Sequence, residues 1–234
     1  AHSLGIPQIS TITNGFWGRS KEKAEKLATE LKEAGLNKVN MSIDSFHLPY
    51  TPLECPKNAA QALLKAGIEN VKWNVSVIES IDAENHYDKE TRELLKKLES
   101  VGISANIVKI APMGRAVKNL REFFHHTSLD GPCEGEPIPS EYSSTLTNPE
   151  TICIEPSGSV DICTHLSIGN AKQTPLSRIL NEYSWQQNPI IKTLVEKGPK
   201  GLLNLPEISG YRLQENHFIT KCHLCTEIRK TLNA

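Results

Sequence analysis

The sequence predicts an α/β protein in which parallel strands alternate with amphipathic helices through the first half of the chain. Segments of strand composition recur about every 30 residues, and a helical pattern separates each from the next. Glycine or proline marks most of the junctions between them. Because strands joined through helices run parallel, the connections are expected to be right-handed crossovers within one sheet.

Strand–helix units follow one another from the start of the chain. The predicted strands are residues 6–14, 38–44, 71–78 and 104–111. Ser20 is a favoured helix-capping residue, and apolar residues follow it at helical spacing until Gly35. Further helices are predicted over residues 57–66 and 89–100, and a short helix follows the turn at 112–115.

Two of these strands carry a polar face, although a parallel strand covered on both sides is apolar throughout. In residues 38–44, Asn40, Ser42 and Asp44 alternate with apolar residues, and residues 71–78 place Asn74 and Ser76 in the same way. One interpretation is a sheet with one face in water. The other is a barrel-like sheet whose concave face holds a polar ligand, with its site at the carboxyl ends of the strands.

The second half breaks this rhythm. Residues 127–150 form a long predicted connector rich in proline, serine and threonine. A hairpin is then predicted over residues 151–163, with helices near 175–183 and 189–196 and a closing segment at 222–232. The predicted organisation is a partial (β/α) barrel over 1–126, the connector, and a small α+β extension over 151–234.

Composition excludes several classes of protein. The 234 residues hold 26 Lys and Arg against 27 Asp and Glu, so no nucleic-acid or membrane-surface partner is expected. No apolar run is long enough to cross a bilayer and no signal-peptide pattern opens the chain, which predicts a soluble, cytoplasmic protein. Six cysteines are too few for a disulfide scaffold, and five of them fall in the second half.

Three strings occur in order at successive strand ends: ITNG at 12–15, MSIDS at 41–45 and PMGRA at 112–116. Together they resemble the middle and end of a radical S-adenosylmethionine (SAM) enzyme, and IDSFH at 43–47 is similar to a branch described as Fe-S oxidoreductases. The hairpin PSGSV at 156–160, followed by Cys163 and an IGN turn at 168–170, resembles the C-terminal extension of these enzymes. The resemblance implies a TIM-barrel-like architecture and spans nearly the whole chain.

The resemblance also implies a SAM site. It assigns cofactor contacts to polar residues on the strands and to the loop after the last one: Asn14, Ser42, Asp44, Asn74, Ser76, Gly114 and Arg115. Asp44 suits a ribose because a carboxylate accepts hydrogen bonds from both vicinal hydroxyls. His47 is a weak catalytic candidate as an acid or base, and an ordinary loop histidine is the other interpretation.

One motif of the family is missing. Radical SAM enzymes hold a [4Fe-4S] cluster on a C-x-x-x-C-x-x-C loop, and no such triplet occurs in these residues. We therefore expect a C-terminal portion of a radical SAM oxidoreductase, inactive without the cluster-binding segment, whose substrate is a small molecule or a peptide. The alternative is a non-enzymatic α/β domain that binds a ligand or a partner. A barrel short of strands exposes a sheet edge, which predicts a homodimer.

The last part of the chain holds a possible metal site. Cys222 and Cys225 have C-x-x-C spacing, which suits one metal ion or a redox pair. Cys163 is placed to join them, with Cys133, Cys153 or a histidine as a fourth ligand. The resemblance implies an auxiliary Fe-S cluster there, and zinc fits the same spacing. A pair of unliganded thiols and a disulfide are the other interpretations.

Overall fold

The computed structural model describes residues 1–133, 145–208, 210–214 and 217–232. The chain falls into two units, Ala1–Ile110 and Ala111–Ala234, which are treated separately below. The predicted domain limits at 126 and 150 stay a prediction. The connector predicted over 127–150 lies partly outside the described residues, and its described parts contain no helix or strand.

The first unit is a four-stranded parallel sheet whose strands stand in chain order. The strands are β1 (Ser10–Thr13), β2 (Lys38–Ser42), β3 (Asn70–Val77) and β4 (Ala105–Lys109). Helices α1 (Lys21–Glu33), α2 (Glu54–Lys65) and α3 (His86–Leu98) connect them in turn. The predicted α/β alternation is confirmed, and the sheet of the described residues does not close into a barrel.

All three helices pack on one face of this sheet. Ala24 of α1, Leu63 of α2 and Leu98 of α3 share a core with the buried side chains of β2 and β3. These strand residues are Val39, Met41, Val71, Trp73, Val75 and Val77. The opposite face carries no helix of this unit, so it can hold polar side chains without leaving them buried and unpaired.

The second unit combines a short antiparallel sheet with helices. After α4 (Arg115–Leu120), the strands β5 (Cys153–Ile154), β6 (Ser159–Asp161) and β7 (Ser167–Asn170) pair in that order. Helices α5 (Leu176–Asn181), α6 (Pro189–Lys197) and α7 (Lys221–Leu232) follow. A separate core, which includes Ile191, Leu202 and Leu224, holds this unit together.

Several element limits differ from the sequence prediction. β1 begins at Ser10 because Pro7 has no N–H to give a strand ladder, and Asn37 instead donates to the Pro7 carbonyl at 2.8 Å. α3 begins three residues early, since Asn85 caps it by accepting the Asp88 N–H. The turn expected at 168–170 is wrong: these residues form β7, where the absent side chain of Gly169 makes room for Ile179.

Candidate functional site

A polar row crosses the helix-free face of the parallel sheet. In the strand register, Ser42 of β2 stands beside Asn74 of β3, and Asn74 stands beside Asn106 of β4. The Asn106 Nδ2 donates to the Asn74 Oδ1 at 3.0 Å. Ser42, Asn74 and Ser76 are all half-buried, so the sheet brings these three predicted residues together on a surface that can meet a polar ligand.

Asp44 lies at the carboxyl end of β2 and is fully buried. Its Oδ1 accepts the N–H groups of Phe46 and His47 at 3.0 and 3.1 Å, and its Oδ2 accepts the Ser76 N–H at 3.0 Å. The carboxylate therefore ties the loop after β2 to β3. Most of the hydrogen-bonding capacity of this carboxylate is already used inside the protein. Its contact with a ribose stays a prediction.

His47 forms a close pair with Asp44. The His47 Nδ1 lies 2.7 Å from the Asp44 Oδ1, and 37% of the His47 side chain is exposed. The hydrogen bond to Asp44 raises the pKa of His47, against the opposing effect of burial. Burial alone would raise the pKa of Asp44, but its bonds to His47 and Ser76 together lower it. The pair thus resembles the carboxylate–imidazole arrangement that orients a general acid or base.

Two residues of α3 support the loops after β2 and β3, and the sequence analysis did not single them out. The Thr91 Oγ1 accepts the Ser45 N–H at 3.0 Å. The buried Asp88 accepts three backbone N–H groups from the loop after β3, those of Ile78, Glu79 and Ser80. The pattern of Asn85 followed three residues later by Asp88, before a helical run, is the signal that could have identified this support.

The other predicted cofactor residues lie apart from the polar row or in the second unit. Asn14 is exposed, and its Oδ1 accepts the Phe16 N–H in the turn after β1. Gly114 has a φ of 54°, which favours glycine, and a Cβ built there meets nothing within 4 Å. Arg115, the first residue of α4, is exposed. A role of these three residues in cofactor binding stays a prediction.

Four cysteines of the second unit line one small cavity. Cys133, Cys163, Cys222 and Cys225 come from three separate segments, and none of them is in a disulfide. Within the part of the chain that the structure describes, no three of their sulfur atoms lie within 4.8 Å of one another. The Arg229 Nε donates to the Cys225 Sγ at 3.3 Å, which places a positive charge against one sulfur.

The four thiols are candidate ligands for a zinc ion or for an iron–sulfur cluster. Ligands of a single zinc ion must all reach one centre, whereas the ligands of a cluster bind different irons and can stand farther apart. Thiolates bind both groups, so the donor set alone suits either of them. His223 could bind a metal only through Nε2, because its Nδ1 accepts the Ile219 N–H. Burial lowers its pKa and so favours the neutral imidazole, which is the form that binds metals.

Cys153 belongs to a different surface, on the polar face of the antiparallel sheet. Burial and the carboxylates of Glu155 and Asp161 raise the pKa of its thiol. The ligand atoms of Glu155, Asp161 and His165 lie within 4.8 Å of one another beside it. The sequence analysis missed this group, although residues 153, 155, 159 and 161 alternate across the predicted hairpin and so had to share a face.

Comparison with known proteins supports the radical SAM resemblance in part. The chain is 26% identical over 102 residues to YydG of Bacillus subtilis (strain 168), by its name a candidate peptide biosynthesis protein. It is 28% identical over 121 residues to the GTP 3',8-cyclase of Lactiplantibacillus plantarum (strain ATCC BAA-793 / NCIMB 8826 / WCFS1). These matches cover 44% and 49% of this chain, and no protein-family model matches it.

The matched regions amount to 30% and 33% of the two relatives, so the chain spans about a third of their length. Both are radical SAM proteins, which supports a radical SAM-like origin for this chain. Among the described residues, no helix is long and apolar enough to cross a membrane.

Proposed function

We propose that this chain forms the substrate- and SAM-facing part of a radical SAM oxidoreductase. The single observation that carries the proposal is the one-sided parallel sheet, which keeps its helices on one face and its polar row on the other. A (β/α) barrel likewise carries its helices on the outer face of its sheet and its functional side chains at the carboxyl ends of the strands. The partial likeness to two radical SAM proteins supports the same proposal.

In this function, SAM on a [4Fe-4S] cluster would supply the radical that removes hydrogen from the substrate. The cysteine triplet that holds this cluster is not in the 234 residues, so the chain on its own would not cleave SAM reductively. In this proposal, the residues of the chain bind and orient SAM and the substrate. Ser42, Asn74 and Ser76 would offer hydroxyl and amide groups to the ribose and carboxylate of SAM, with Asn14 as a further contact.

His47 would move a proton at the rim of this surface. The buried Asp44 fixes the imidazole through Nδ1, which leaves Nε2 as the atom that exchanges a proton with the substrate. Asp44 is therefore a positioning residue in this proposal. Because the pair lies where β2 and β3 end, the proton transfer would occur beside the polar row that would hold the cofactor.

The cysteine cavity of the second unit would hold an auxiliary iron–sulfur cluster, with Cys163, Cys222, Cys225 and Cys133 as its ligands. Thiolates are the usual protein ligands of such clusters. Zinc is the competing occupant. It would bind the same thiolates in a tetrahedral arrangement.

The names of the two relatives suggest a class of substrate for this chain. One relative is associated by name with peptide biosynthesis, and the other acts by name on GTP. A peptide or a small molecule is therefore the expected substrate. The alternative is a non-enzymatic domain that binds a nucleotide-like ligand on the same polar row.

The test of the SAM-facing surface is a titration with S-adenosylhomocysteine, followed by NMR on the full chain. We expect shifts at Ser42, Asn74 and Ser76. Asn74→Ala should weaken binding by about five- to tenfold through the loss of hydrogen bonds. Asn181→Ala, at an exposed position of α5, is the matched control and should bind as the wild type does.

Two results would count against this assignment. Shifts confined to other residues, or an Asn74→Ala variant that binds normally, would remove the polar row as the SAM surface. Binding of GTP without binding of S-adenosylhomocysteine would favour the nucleotide-binding alternative.

The cysteine site has its own test, anaerobic reconstitution with ferrous iron and sulfide. We expect the full chain to retain both, and Cys163→Ser and Cys225→Ser each to lose most of the bound iron and sulfide. Cys55→Ser is the control, since Cys55 is buried in the first unit. Retention of zinc with no iron or sulfide would replace the cluster by a structural zinc ion.

A further inference from the structure

The three-stranded antiparallel sheet has one continuous polar face. Cys153 of β5 stands opposite Asp161 of β6, and Asp161 stands beside Ser167 of β7. Since side chains alternate along a strand, Glu155 and Ser159 share this face with them. Glu155, Asp161 and Ser167 line an open depression of about 490 Å³, together with His165 and other hydroxyl-bearing residues.

Three metal-ligating groups converge in this depression. Glu155 and Asp161 each offer a carboxylate oxygen, His165 offers an imidazole nitrogen, and the three atoms lie within 4.8 Å of one another. Three ligands bound to one ion in a tetrahedral or octahedral arrangement stand at separations of this order, given metal–ligand distances of about 2.0–2.2 Å. The three side chains are thus arranged as the ligands of a single ion would be.

The negative charges of Asp161 and Glu155 are not compensated by an ion pair among the described residues. Asp161 is 5% exposed, and among the described residues the only hydrogen bond to its carboxylate is from the Ser159 hydroxyl to Oδ1. None of the ion pairs among the described residues joins a lysine or arginine to Asp161 or Glu155. A buried carboxylate is costly unless a cation or several hydrogen bonds compensate it. A bound metal ion would supply the compensation that Asp161 lacks.

The turn that carries His165 is held in place by α7. Its φ of 50° lies in the left-handed region, which few residues other than glycine adopt. The nearly buried Arg229 of α7 holds this turn by donating to the carbonyls of Thr164 and His165 at 2.6 and 2.7 Å. Arg229 is therefore a positioning residue, which keeps the imidazole of the exposed turn next to the two carboxylates.

We propose that Glu155, Asp161 and His165 bind a divalent first-row transition-metal ion, separate from any group held by the cysteine cavity. One imidazole and two carboxylates suit Mn²⁺, Fe²⁺ or Zn²⁺ better than they suit Ca²⁺ or Mg²⁺, which prefer oxygen ligands alone. Three protein ligands leave coordination positions open to the depression. Water or an anionic group of a ligand would complete the coordination.

Mn²⁺ is the probe that separates this site from the cysteines, because it prefers carboxylate ligands to thiolates. The full chain is titrated with Mn²⁺, bound and free metal are counted by EPR, and NMR broadening locates the ion. We expect one bound Mn²⁺ per chain and broadened signals at Val160, Ile162 and Ser167. Loss of one ligand should weaken binding by at least about tenfold.

Two variants keep the test decisive. Asp161→Asn removes a charged ligand, and its fold is checked by circular dichroism because Asp161 is buried. His165→Gly removes the imidazole from an exposed turn and suits its positive φ. His125→Ala, at an exposed histidine outside the group, is the matched control. Broadening at other residues, or unchanged affinity in His165→Gly, would overturn the proposal whatever the result with S-adenosylhomocysteine.

Discussion

At the scale of single residues, the carboxylates of this protein bind backbone far from them in sequence. Asp44 binds the N–H of Ser76, 32 residues away, and Asp88 closes the loop after β3. Each fully buried carboxylate satisfies N–H groups that no strand or helix ladder reaches. These bonds fix the carboxyl ends of β2 and β3, where the proposed site lies, more firmly than surface loops are usually held.

Asp44→Asn tests this role. Replacing the carboxylate removes a charged acceptor of several hydrogen bonds, and we expect the free energy of unfolding to fall by about 3 kcal/mol near pH 5.5. Chemical denaturation measures this loss. Asp82→Asn, at an exposed aspartate, should change stability by less than about 0.5 kcal/mol.

The pH dependence of the same variant follows from the pKa directions. Asp44 has a lowered pKa, so its contribution is complete above its unfolded value, about 3.9, and is lost as the pH falls through the folded pKa. His47 has a raised pKa, so its contribution is complete below about 6.5 and is lost as the pH rises through the folded pKa. The stability difference between wild type and Asp44→Asn should therefore peak between about pH 4 and 6.5. A flat difference would contradict the pairing.

At the scale of elements, a close approach between α2 and the short 3₁₀ helix at Phe16–Arg19 limits which residues fit there. A Cβ built on Gly18 would lie 2.0 Å from the Cys55 carbonyl oxygen and 2.8 Å from the Ala59 nitrogen. Both contacts are with backbone atoms, which cannot rotate away as a side chain can. The helix axis itself would have to move, and the core of α1 and α2 behind it would loosen.

Gly18→Ala should therefore destabilise the protein by about 2–3 kcal/mol through overpacking. Gly102→Ala is the control, since its Cβ would meet nothing and only its φ of 74° opposes the change. That strain should cost about 1 kcal/mol. Thermal and chemical denaturation of both variants gives the comparison. Equal losses would show that the approach of the 3₁₀ helix to α2 does not limit the packing.

The strand–helix order of the first unit could be predicted because it depends on local patterns. The alternation along residues 71–77 identified both the buried face and the polar row of β3, since side-chain direction has a period of two. The group of Glu155, Asp161 and His165 could not be found in this way. It depends on the register of β5 against β6 and on a left-handed turn that Arg229 holds from α7, which no local pattern reveals.

At the scale of the whole molecule, the parallel sheet has two edges, β1 and β4, because it does not close within the described residues. Pro7 precedes β1, and proline discourages further pairing there. β4 contains no proline, and four of its five residues are exposed, with Ile107 at 42%. An edge strand of this kind, which is paired on one side only, is a template for pairing with a second copy.

We expect a homodimer in which β4 pairs with its own copy about a two-fold axis, so that the two strands run antiparallel. Ile107→Lys should weaken this dimer by about tenfold or more, because lysines facing each other across the new ladder repel. Leu180→Lys is the matched control, since Leu180 is also 42% exposed but lies on α5. Light scattering over a range of concentrations measures both. A monomer at every concentration, or equal weakening by the two lysines, would rule out pairing through β4.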